Sequence, residues 1–457
     1  MIRTQRAAKH AWLGSFARIV LAIVVLFTIV CFWTERPRWG NSSASPNAAA
    51  GALISHPATP DDAAVTAYGV QFLVDRVSRD PDDFVAQNKL ASYFLQQMRE
   101  TGNADFLARA ERAAQASLAS VPAERNVGAL GALTQVEMAA HEFQKARDDA
   151  VRLTRIYPGK ASSYGLLADA LLELGEYGQA DDAIRNMRKF GDGTAETEIR
   201  LGRRAFLQGD GEGARRHFFQ ALALTLNMAS PVRETVAWCR WQLGDIAFST
   251  GDYPAAEKHY HKALSTYPGY VQALASLARV RAAQGDLSAA IENYEAAVRR
   301  LPDPAFVAAL GDLYHLAGQD KEANARYDLV EQIGHLSAVS GNRYNRQLTL
   351  FYADHARKVD EAYRDAAREY MERRDIYGAD ALAWAAFKAG KLAEARVAIK
   401  DALQLGTRDA KLFYHAGMIA RASGDKTSGR DFLERALSLN PQFDLLQAAV
   451  ARQALVD

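Results

Sequence analysis

The stretch Gly251–Pro268, GDYPAAEKHYHKALSTYP, is answered 34 residues later by Gly285–Pro302, GDLSAAIENYEAAVRRLP, with Gly, Asp, Ala, Tyr, Ala and Pro in the same places. A repeat of this length constrains the fold more than any other feature, because one short amphipathic unit cannot bury its own apolar faces and must stack on its neighbours. The pattern spreads in both directions. Ala256, Tyr260 and Ala263 become Ala290, Tyr294 and Ala297, then Ala323 and Tyr327. Upstream, Ala214, Phe218 and Ala221 play the same parts; downstream, Ala395, Ile399 and Ala402 do, followed by Gly429, Leu433 and Ala436.

A second signature precedes each of these. Small residues recur where two helices would cross, at Ala91, Thr134, Ala168, Gly202, Gly244, Ala278, Gly311, Ala383 and Gly417. Between the two helices stands a turn glycine, at Gly175, Gly209, Gly251, Gly285, Gly318, Gly390 and Gly424. Such a glycine ends the first helix in a left-handed conformation, and an Asp after it caps the second. Small residues at the crossing let the pair approach closely. Prolines 81, 122, 158, 268, 302 and 441 close units, since proline cannot continue a helix. No segment shows the alternation of a strand.

In period and pattern this resembles the tetratricopeptide repeat (TPR) family over about residues 62–457. The resemblance implies an all-α, right-handed superhelical solenoid of about ten helix-turn-helix repeats, following one N-terminal transmembrane helix. Two connections are longer than the pattern asks, Leu224–Trp238 and Gly334–Gln347. The organisation expected is a basic head at 1–10, a signal-anchor helix at 11–33 and a flexible linker at 34–61. Beyond these come an N-terminal array at 62–333, an extended linker at 334–347, and C-terminal repeats with an end-capping helix at 348–457.

The membrane expectation rests on the apolar run Ile19–Trp33, which extends back to Trp12 across Arg18. Trp12 and Trp33 are 21 residues apart, about 31 Å at helical rise and close to the thickness of the hydrocarbon layer. Arg3, Arg6, Lys9 and Arg18 precede the core, which places the head in the cytoplasm and the solenoid on the extracytoplasmic, periplasmic side of an inner membrane. Secretion after signal cleavage is the alternative, with small residues suited to it only at Ala48–Ala52.

Chemistry is sparse. Lys and Arg number 55 against 54 Asp and Glu, so the chain has no clustered basic excess for nucleic acid. The two cysteines, Cys31 and Cys239, form no CxxC, and His259 and His261, two apart on a helix, do not share a face. The G-x-G-x-G of QGDGEGA (Gln208–Ala214) falls at a repeat turn with no strand before it, which is turn chemistry rather than a phosphate loop. No catalytic, cofactor or metal residues are assigned, and the chain is expected to be no enzyme. The expected role is a scaffold or adaptor for a protein or an extended peptide; the alternative is an accessory or regulatory factor of an envelope-assembly or biogenesis complex. Pairing of chains into a homo-oligomer through exposed terminal repeats stays open.

The resemblance further implies a concave groove lined by fixed places of each first helix. Carried over, the partner-binding residues are Arg203, Trp241, Asp245, Arg279, Asp312, His315, Trp384 and Tyr414. The same places add Asn88, Gln135, Asp169, Trp238, Phe248, Gln347 and Phe387. Aromatic anchors beside arginine are the side chains that most often dominate interface energy.

Overall fold

The computed structural model describes residues 62–339 and 346–456. They belong to the second of two compact units, Pro60–Asp457. The expected head, anchor helix and linker at 1–61 lie outside the described residues. Among the described residues no helix is long and apolar enough to cross a membrane.

Those residues form 22 helices and no strand. After α1 (Asp62–Arg79) come ten hairpins. The first five pair α2 (Phe84–Thr101) with α3 (Ala104–Ser120), α4 (Val127–Ala139) with α5 (Phe143–Ile156), α6 (Ala161–Leu174) with α7 (Tyr177–Gly191), α8 (Ala195–Leu207) with α9 (Gly211–Leu226), and α10 (Arg233–Ser249) with α11 (Tyr253–Thr266). The next five pair α12 (Val271–Ala283) with α13 (Leu287–Arg300), α14 (Pro304–Leu316) with α15 (Asp320–Val339), α16 (Arg346–Asp354) with α17 (Val359–Glu372), α18 (Ile376–Lys388) with α19 (Leu392–Ala402), and α20 (Ala410–Ala422) with α21 (Lys426–Leu439). A last helix, α22 (Gln447–Val456), packs on α21. The first helices of successive hairpins also touch one another, α2 on α4, α4 on α6 and α6 on α8 among them.

The repeated residues make repeated contacts. All seven turn glycines have positive φ, from +72° at Gly318 to +86° at Gly424. The Asp after the turn caps the second helix: Asp252 accepts from the Ala255 N–H at 3.1 Å, Asp286 from Ala289 at 3.0 Å and Asp425 from Ser428 at 3.0 Å. The glycine at each of four crossings is covered by the ring or branched side chain sixteen residues on, Phe218 on Gly202, Tyr260 on Gly244, Tyr327 on Gly311 and Leu433 on Gly417. A Cβ on Gly244 would fall 2.4 Å from the Tyr260 ring, and one on Gly311 would fall 2.6 Å from Tyr327. Each of these tyrosines donates its hydroxyl to the Asp beside that glycine, Tyr260 to Asp245 at 2.6 Å and Tyr327 to Asp312 at 2.9 Å. A buried phenol needs such a partner. Phe218 on Gly202 and Leu433 on Gly417 have no hydroxyl, and there the next residue is Arg203 or Met418.

The connections differ in detail from expectation. Helix α15 continues to Val339, past the Gly334 start of the expected linker, and α16 begins at Arg346, before its Gln347 end. Between Leu226 and Arg233 the chain leaves the helix for only six residues. The tail is helical only from Gln447; Phe443–Leu446 is not part of the cap helix, and Ala448 and Ala451 on that helix are buried.

One feature is not local. The solenoid winds so tightly that its second turn rests on its first, with a spacing near 200 residues. The Ile376 N–H donates to the Tyr177 hydroxyl at 2.8 Å, and Arg373 pairs with Glu173. Thr407 donates to the Leu207 carbonyl, and the Asn440 amide to the Phe248 carbonyl at 2.8 Å. In each case a hairpin turn of the first five repeats meets an inter-repeat loop five repeats on. Ordinary solenoids hold each repeat by its neighbours only; this seam adds contacts between repeats that are distant in the chain.

Candidate functional site

The inner faces of α10, α12, α14 and α16 enclose a cavity of about 360 Å³, within the size range of ligand sites. Its floor is alanine: Ala282 and Ala283 on α12, and Ala305, Ala308 and Ala309 on α14. These positions withdraw to a methyl group and leave the space. Phe248, Tyr294, Leu350 and Phe351 wall it, and residues Gln442–Leu445, which lead into the cap helix, close one side.

Three basic side chains line it. The Arg279 guanidinium lies 4.1 Å from the Phe248 ring centroid and 3.9 Å from Asp245, and donates no hydrogen bond among the described residues. Burial pushes the Asp245 carboxyl above the ordinary carboxylate range, against the pull of Arg279 and the Tyr260 and Ser276 hydroxyls. Ser276 in turn accepts from the Trp241 indole at 2.9 Å.

The second group is His355, whose Nδ1 is 2.8 Å from the Phe351 carbonyl and whose Nε2 is 2.7 Å from Asp312. Both neighbours only accept, so both nitrogens carry protons. Burial alone would lower the pKa; the hydrogen bond and charge of Asp312, with the carbonyl, outweigh it and hold the imidazole above its usual value. The third is Lys411, which bridges Asp354 and Asp444 at 3.1 Å each. Asp354 also accepts from the Trp384 indole at 2.6 Å and from Gln447. These bonds tie the cap segment into the groove.

The family description "Tetratricopeptide repeat" matches residues 242–303, 276–332 and 381–442. These stretches are tetratricopeptide repeats. The chain is 23% identical over 304 residues to the TPR repeat-containing protein YpiA of Bacillus subtilis, covering 66% of this chain and 61% of that relative, so it spans about three fifths of the relative's length. Among solved structures it is similar to PilW, a type IV pilus biogenesis factor, at 19% identity over 48% of this chain and 94% of the other, with a TM-score of 0.37. A tetratricopeptide repeat protein from Parabacteroides merdae matches at 20% identity over 57% of this chain and 97% of the other, with a TM-score of 0.32.

Of the expected groove residues, the cavity brings together Arg279 and Asp312, with Phe248 and Gln347 from the same helix places. Trp241 and Asp245 stand behind it, joined through Ser276. Arg203 is not there: it binds Asp169 and Glu173, each at 3.3 Å, in the charged cluster under the seam. His315 is exposed at the end of α14 and pairs with Asp320 at 2.8 Å. Trp384 and Tyr414 lie outside that cavity and line a second one with Phe387 and Met418. They are 2% and 3% exposed, because Phe443 lies 5.4 Å from Tyr414 and the cap segment covers that end of the groove.

Sequence reasoning missed His355, Lys411 and the segment Gln442–Leu445. His355 follows the short helix α16 after the irregular connection, where the repeat register is lost, and Phe443–Asp444 belong to no repeat.

The His355–Asp312 pair gives a pH dependence. A histidine with a raised folded pKa contributes its full stability below the unfolded value of about 6.5 and loses it as pH rises through the folded value. The melting temperature should therefore fall as pH rises above about 6.5, and His355→Gln should flatten that slope. Thermal melts of both proteins in matched buffers check it; parallel curves would remove the role given to the pair.

Proposed function

We propose that this chain is a non-catalytic, membrane-anchored scaffold whose groove between the fifth and eighth repeats holds an extended segment of a protein partner on the extracytoplasmic side. The observation that carries this reading is the alanine floor beside an arginine that donates no hydrogen bond. A groove emptied of side chains over two helices admits a backbone with small or apolar residues, and Arg279 offers five donors to its carbonyls or carboxylates. The other charged groups of the cavity are engaged with one another, which suits a structural role and not acid–base work. Repeats of this kind imply protein partners in general; the anchor rests on the apolar run from Trp12 to Trp33.

The test uses the full chain in its membrane. A photo-crosslinking residue in place of Ala309 should label a protein that the same residue at Val397, exposed on the outer helix α19, does not. Filling the groove with Ala305→Trp should abolish that product without moving the melting temperature. Labelling of equal strength from Val397, or labelling that survives the filled groove, would overturn the assignment. Protease accessibility of the C-terminus from outside the membrane checks the orientation separately.

A further inference from the structure

The seam has two rims, and the chain leaves one of each uncovered. On the hairpin rim of the first turn the glycines are buried under the second: a Cβ on Gly175 would fall 2.3 Å from the Arg374 carbonyl oxygen, and one on Gly209 would fall 2.5 Å from that of Gly406. The same glycines in the second turn, Gly285, Gly318, Gly390 and Gly424, have nothing within 4 Å. The opposite rim behaves likewise. Inter-repeat loops of the second turn sit on the first, whereas in the first turn the loops at Gly159 and Gly193 have nothing within 4 Å of a Cβ built there; farther along, Arg99 of the first hairpin pairs with Glu234 at the start of α10 at 2.9 Å. Along that free rim Tyr157, Phe190, Leu226, Met228 and Val232 are exposed.

We propose that these rims join head to tail, the free hairpin rim of one molecule docking on the free inter-repeat rim of a second copy of the same chain. The contact continues an interface the molecule already makes with itself. In the seam, carbonyls at the ends of α8 and α10 receive donors from the loops above, Thr407 and Asn440. At the free rim the corresponding carbonyls of Ala282, His315, Phe387 and Arg421 each accept from the turn glycine, as Phe248 does from Gly251, and each keeps a second lone pair for a donor. The row of exposed apolar residues is of the kind that marks an interaction surface. Repeat arrays need polar ends to remain single; α22 covers the stacking face of the last repeat but neither rim. Because the two patches differ, the contact is heterologous, and a screw that does not close extends to an open series of copies.

The experiment is sedimentation of the full-length chain in a mild non-ionic detergent over a wide concentration range. One variant carries Tyr157→Glu with Val232→Glu on the inter-repeat rim; the other carries Gln319→Glu with Lys426→Glu on the hairpin rim, where acidic residues suit helix N-termini and leave the fold intact. The wild type should grow past a dimer as concentration rises, and each variant alone should stay monomeric. Mixing the two should restore dimers and nothing larger, since each retains one sound rim. A wild type that stays monomeric, association that survives either variant, or a mixture that restores nothing would overturn the proposal. Met228→Glu replaces the first pair if circular dichroism shows that pair misfolded.

Discussion

Replacing Trp384 with alanine should destabilise the second superhelical turn by about 3–5 kcal/mol, the range for deleting a buried aromatic side chain. The indole is among the largest fully buried side chains and stacks on the His415 ring at 4.1 Å with 13° between planes. Its N–H donates to Asp354 at 2.6 Å, the carboxylate that also holds Lys411 and Gln447. Removing it opens a cavity and takes one donor from the node that ties the cap segment down. Trp384→Phe keeps a ring in the stack and loses only the hydrogen bond to a charged group, so it should cost less, about 1.5–3 kcal/mol. Urea denaturation followed by circular dichroism checks both. The loss should appear first in α18–α22, because local contacts in a solenoid let one part melt ahead of another. If Trp384 were instead a partner contact in an open groove, alanine would leave the denaturation curve in place.

The contrast between these outcomes shows where the sequence was legible. The seven turn glycines, the Asp caps and the crossing pairs such as Gly244 with Tyr260 are contacts within one repeat. Each copy confirms the others, so period and chemistry reveal them together. What a repeat cannot encode is how far the next turn of the superhelix lies above it. Glu173 and Arg373, or Leu207 and Thr407, stand 200 residues apart, and nothing in either segment points to the other. The same limit hides the burial of Trp384 and Tyr414. An inner-face aromatic has one appearance in sequence whether the groove above it is open or filled, and the filling segment around Phe443 has no periodicity to announce it.

Gly175→Val tests that long-range contact directly. Gly175 has φ +75°, a conformation in which a β-branched residue is strained by about 1–2 kcal/mol. That cost alone would be shared by Gly285→Val, at φ +85° with nothing within 4 Å. At Gly175, however, the new Cβ would meet the Arg374 carbonyl oxygen at 2.3 Å, its carbon at 2.6 Å and the Asp375 nitrogen at 3.0 Å. These are backbone atoms and cannot swing aside as a side chain would. The second turn must lift, which separates Ile376 from the Tyr177 hydroxyl and Arg373 from Glu173, both partly or fully buried. Parting a hydrogen bond and a largely desolvated charge pair should add about 2–4 kcal/mol to the strain. Hydrogen exchange at the Ile376 amide should accelerate in Gly175→Val and keep its native rate in Gly285→Val, while denaturation curves of the two variants separate by the added amount. Equal exchange and equal stability in both would mean that the turns touch without holding one another, and the solenoid would then behave as a chain of nearest neighbours.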